Sequence, residues 1–78
     1  MPDSLRSSPV PDEILFEVVP SDEGGFEARA LGFDIFTEAD TLPELRDRIR
    51  DAVRCHFEPG VAPRVIRLHH VHDEVMPA

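Results

Sequence analysis

One segment limits the possible folds more than any other, Asp40-Thr41-Leu42-Pro43-Glu44-Leu45 together with the periodic run from Arg46 to Phe57. Thr41 stands three residues before Glu44, the spacing of a capping box, in which each side chain bonds the other's free backbone N–H. Pro43 falls in the first turn, where a missing N–H is harmless. Leu42, Leu45, Ile49, Ala52, Val53, His56 and Phe57 then recur at helical spacing as one apolar stripe, and Pro59-Gly60 ends it. Glu44 with Arg48, and Asp51 with Arg54, are spaced to pair across the wet side, worth a few tenths of a kcal/mol each. His56 lies on the stripe and reads as a core histidine. A chain with one such helix must bury its stripe against something else, and the remaining apolar runs have strand periodicity.

Glu13 to Val19 is short, apolar and β-branched, with Ile14, Phe16 and Val18 on one face and Leu15 and Val19 on the other. Pro20 to Gly25 is a turn, and Phe26 to Leu31 alternates as the second arm of a hairpin. Gly32 breaks that run. Asp34 to Thr37 reads as a short third strand and Arg64 to Val71 as a fourth. The fold class is therefore α+β, in the order β-β-β-α-β. A meander followed by a right-handed crossover gives a mixed four-stranded sheet of order 3-2-1-4, with one helix on one face. Residues 1–11 read as a disordered leader, 12–73 as the domain and 74–78 as a loose C-terminal tail.

The helix leaves the opposite sheet face open, carrying Leu15, Glu17, Val19, Glu27, Arg29, Leu31, Val65, Arg67, His69 and Val71. That set is too apolar for an ordinary wet surface, and strand four is a free edge. Small cores need support, and the single cysteine, Cys55, excludes an internal disulfide and fits a reducing, cytoplasmic setting. Self-association into a dimer or tetramer is the expected support, through Leu15, Val19, Leu31 and Val65. Sixteen acidic residues against eight basic ones, all arginine, give a net charge of -8. That balance opposes direct nucleic-acid or anionic-membrane binding and favours a basic partner. No apolar run approaches the length of a membrane span.

Little points to catalysis. Cys55 and His56 are neighbours on a helix and face apart. Glu17, Asp47 and Asp51 are the carboxylates nearest a nuclease-like position, and they do not converge. There is no phosphate-binding glycine loop and no nucleophile elbow. No catalytic residue, cofactor or metal is assigned. The alternative is a small metal-binding or enzymatic factor using His70 and His72, which would share a strand face.

Asp22-Glu23-Gly24-Gly25-Phe26, then Leu31-Gly32, then Asp40-Thr41-Leu42-Pro43-Glu44-Leu45 with Ile49 and Ala52-Val53, resemble the HicB antitoxin family over about residues 13–71. The resemblance implies a partly reduced RNase H-like fold without nuclease activity, assembly into dimers or larger species, and neutralisation of HicA, a small basic mRNA-cleaving toxin. Leu31 meets Gly32 without an intervening proline, and Ala39 stands where that family has glycine. Seven residues follow Val71, too few for the family's DNA-binding segment, so operator binding is not carried over. Phe36 to Leu42 with Ile49 to Phe57 look closer still to short stand-alone HicB-like proteins. Some of these carry the label 2-oxoisovalerate dehydrogenase beta chain, an activity whose thiamine cofactor needs a far larger chain. The expected function is a non-catalytic protein-interaction module, a HicB-like antitoxin or orphan relative. Glu44, Asp47 and Asp51 on the helix, with Arg67, His69 and Val71 on strand four, are the expected partner-binding residues.

Overall fold

The computed structural model describes residues 12–78; the expected leader, 1–11, lies outside them. Strand β1 (Glu13–Pro20) is followed by β2 (Phe26–Ala30), β3 (Phe36–Ala39), helix α1 (Leu42–His56) and β4 (Val65–His70). The sheet order is β3-β2-β1-β4, antiparallel between β1, β2 and β3 and parallel between β1 and β4. The α+β class, the element order and the sheet order are those expected from the sequence.

Each element has a local cause. The hairpin turn closes through Ser21 N–H to the Gly25 carbonyl (2.9 Å) and Gly24 N–H to the Ser21 carbonyl (3.1 Å). Gly25 is left-handed (φ +83°), and a Cβ there would sit 2.5 Å from the Ala39 carbonyl oxygen. Only glycine lets the turn approach the end of β3 so closely. At the helix start, Thr41 Oγ1 accepts from Glu44 N–H (3.3 Å). Glu44 itself accepts from Arg48 (2.9 Å at Nη2), so its carboxylate serves the i,i+4 pair.

The β3 bounds differ from those expected, lying two residues later at Phe36–Ala39. Pairing of Phe26 with Ala39 and Glu27 with Glu38 holds residues of low intrinsic strand preference in the ladder. Ile35, just before the strand, is buried, and its carbonyl accepts from Ala30 N–H (3.0 Å).

Ile14, Phe16, Val18, Ala28, Ala30 and Ile35 pack beneath Leu45, Ile49 and Val53 of α1, and among the described residues no polar side chain is buried. The helix lies closest to β3 and β2. Ile66 and Leu68 of β4 are half-buried. No helix among the described residues is long and apolar enough to cross a membrane.

Candidate interaction surfaces

Strand pairing sets the geometry of the uncovered face. Across the ladders, Phe36 stands beside Arg29, Arg29 beside Glu17 and Glu17 beside His69; one row along, Leu15 stands beside Arg67. Leu15 and Val19 are half-buried, while Leu31 is 51% and Val65 47% exposed. All four residues expected to mediate self-association therefore lie on this side. Phe36, 50% exposed, joins them. The Arg29 guanidinium covers its ring at 5.4 Å, a cation–π contact. Phe36 is an addition to the expected set, placed on this face by its pairing with Arg29. Three large apolar side chains, Leu31, Phe36 and Val65, thus stand at about half exposure on one sheet face.

Arg67 and His69, expected to bind a partner, are exposed at the β4 edge of the same face, with Val71 half-buried beyond them. Arg67 bonds Glu13 through two contacts, Nε to Oε2 at 2.5 Å and Nη2 to Oε1 at 3.0 Å. These hydrogen bonds hold the Glu13 carboxyl below the usual carboxylate range and raise the Arg67 guanidinium. The pair fastens β4 to β1 from the solvent side.

The helix surface is less acidic than its three carboxylates suggest. Glu44 pairs with Arg48 (2.9 Å), Asp47 with Arg50 (2.9 Å) and Asp51 with Arg54 (3.7 Å). The Glu44 and Asp51 pairs match the expected spacing, and the Asp47 pair adds a third. Unbalanced negative charge gathers at the helix start. Glu23 from the hairpin turn, Glu38 from β3 and Asp40 before the helix cap surround, with the Glu44–Arg48 pair, a cleft of about 340 Å³. Three separate segments bring these carboxylates together, and nothing in their linear spacing announces the cluster.

The histidines are dispersed. His56 is exposed, not buried in the core as its place on the stripe implied. Its ring meets Phe33 at 5.9 Å and Phe57 at 4.9 Å, both edge-on, so it packs on an aromatic corner at the helix end. β4 stops at His70, which leaves His72 beyond the strand and removes the regular alternation on which a shared face depended. Among the described residues no three His, Cys, Asp or Glu side chains converge as a metal-binding group. Cys55 is an exposed free thiol.

Comparison with known proteins gives two close relatives. The chain is 48% identical over 54 residues to a UPF0150 protein of Archaeoglobus fulgidus, an alignment covering 69% of this chain and 80% of the relative. It is 43% identical over 61 residues to a UPF0150 protein of Thermotoga maritima, covering 78% and 86% respectively. No family model matches the chain, and no solved structure matches it.

Proposed function

The chain belongs to the UPF0150 family, which is HicB-like, and we propose that it acts as a non-catalytic protein-interaction module, self-associating and binding a small basic partner of the HicA type. The half-apolar open face of the sheet carries this reading. Leu31, Phe36 and Val65 expose apolar surface on a domain whose core is confined to the other side, and covering that surface supplies stabilisation that so small a core lacks. The net charge of -8 selects the sign of the partner. The open cleft of Glu23, Glu38, Asp40 and Glu44 offers a carboxylate-lined surface for arginines or lysines of a toxin active site. Asp47 and Asp51 lie further along the helix, each paired with an arginine.

The test is titration of the purified protein with a small basic HicA-like ribonuclease, reading both complex formation and residual mRNA cleavage. A stable complex with suppressed cleavage is expected. Charge reversal in Glu44→Arg with Asp47→Arg should weaken the complex by about tenfold, or ~1.4 kcal/mol. Unchanged affinity would remove the helix start from the interface, and absence of any complex would remove the toxin-binding role.

A further inference from the structure

The free edge of β4 and the segment C-terminal to it are complementary in three independent respects. The first is backbone polarity. Val65 N–H bonds the Asp12 carbonyl (3.0 Å) and Val71 N–H bonds the Val18 carbonyl (2.8 Å), so odd-numbered residues of β4 face β1. Alternation along the strand turns the N–H and C=O groups of Ile66, Leu68 and His70 outward, away from the sheet. No strand covers them among the described residues.

The second is shape and apolarity. A groove of about 90 Å³ lies between α1 and β4, floored by Ile49, Ile66 and Leu68. Beyond β4, Val75 and Met76 are 93% and 73% exposed, the most exposed large apolar side chains described. The third is charge. Arg46 and Arg50 rim the groove of an otherwise acidic protein, and Asp73-Glu74 immediately precede Val75-Met76.

The geometry points to reciprocal strand exchange between two copies of this chain, in which segment 72–76 of each copy adds antiparallel to the β4 edge of the other across a two-fold axis at Val71. This site is distinct from the acidic cleft and from the Leu31 and Phe36 side of the open face, and does not rest on the toxin-binding role. The register is set by the residues. A two-fold at Val71 sets His70 opposite His72 of the second copy, Leu68 opposite its Glu74 and Ile66 opposite its Met76. All six are even-numbered, so their outward N–H and C=O groups meet as hydrogen-bonded pairs. Met76 of the second copy enters the groove beside Ile66, and its Glu74, over Leu68, comes within the span of Arg46 and Arg50. On the other face its Asp73 stands opposite His69, next to Arg67. Strand addition of this kind takes affinity from the backbone and specificity from alternate side chains.

The central pair, Val71 with its own copy, is a non-hydrogen-bonded antiparallel pair, whose Cα atoms stand about 4.5 Å apart, within disulfide range. The experiment therefore uses the full protein with Cys55→Ser and Val71→Cys under mild oxidation. A disulfide-linked dimer is expected, while Arg64→Cys in the same background, far from its own copy in this register, should stay uncrosslinked. Sedimentation of the protein truncated after Val71 should show dimer affinity reduced about tenfold or more, as should Asp73→Arg with Glu74→Arg. Adding Arg46→Glu and Arg50→Glu to that charge-reversed pair should recover part of the loss. The truncation removes only segments outside the sheet and the core, so folding is preserved. An unaltered assembly after truncation, or equal crosslinking at positions 64 and 71, would overturn the exchange. Crosslinking at Val71 that survives Leu31→Glu with Phe36→Glu separates it from association through the open face.

Discussion

The two faces of the sheet are made by the same strands, alternating residue by residue, yet they solve different problems. On the helix side, Ile14, Phe16 and Val18 are sealed beneath Leu45, Ile49 and Val53. On the other side, Leu15 and Val19, their immediate neighbours in sequence, reach only partial burial, among Glu17, Arg29 and Arg67. The lesson is that β1 serves both purposes at once. Its near-continuous apolar run is that of a central strand with one face in the core and the other half-buried on the open side.

Substitutions that act on one face and spare the other test this division most strongly. Phe16→Ala empties a site with 0% exposure and should cost about 3–5 kcal/mol, enough to unfold a domain of this size. Leu15→Ala, one residue away on the open face, should cost no more than about 1–2 kcal/mol, since less apolar area is lost from burial. Urea unfolding of the two variants measures the contrast, and equal losses would mean that the open face is as well covered as the core.

The next effect concerns the corner where the hairpin meets β3. Gly25→Ala combines a left-handed backbone with a Cβ 2.5 Å from the Ala39 carbonyl, whereas Gly24→Ala, also left-handed at φ +93°, points into open space. Gly24→Ala should lose about 1 kcal/mol from backbone strain alone, and Gly25→Ala clearly more. The difference in thermal midpoint isolates the close approach that ties the turn to β3. Thr41→Ala removes the acceptor for Glu44 N–H and should cost about 1 kcal/mol, read as loss of helical circular dichroism at lower denaturant.

Smaller effects on stability belong to the open side. Leu31→Glu with Phe36→Glu should shift unfolding by only about 0.5 kcal/mol, while analytical ultracentrifugation shows loss of assembly through that face. Unaltered assembly of the same variant truncated after Val71 would place association elsewhere. The smallest effect is pH-dependent. The Arg67 hydrogen bond lowers the Glu13 pKa in the folded state, so the folded protein binds that proton less readily than the unfolded chain. Its stabilising contribution is present above the ordinary glutamate range and is lost as pH falls through the lowered value. Glu13→Gln should make the acid branch of the stability profile slightly shallower; because the pair is exposed, the change is expected to be slight.

The core was legible in the sequence because alternation in β1 and β2 and helical spacing in α1 each name their buried side without outside help. Two residues show where that legibility ends. His56 shares the spacing of the stripe, but spacing sets only the direction of a side chain, not whether a sheet extends beneath it; at the helix end His56 meets Phe33 and Phe57 and remains exposed. Phe36 sits on the open face because it pairs with Arg29, a register set by the β2 ladder and not by residues 34–37 alone. The acidic cleft was illegible for a different reason. Glu23, Glu38, Asp40 and Glu44 come from the hairpin turn, β3 and the helix start, and only the completed sheet makes them neighbours.

The amino-acid order alone determined the α+β class, the 3-2-1-4 sheet order and the inward sides of β1, β2 and α1, because periodicity, capping and turn chemistry are local properties. Tertiary structure decided how α1 packs against β4, and hence that a groove stays open between them. It also decided which charges remain unneutralised. Helix placement and charge pairing depend on residues distant in the chain, and no local pattern encodes those distances.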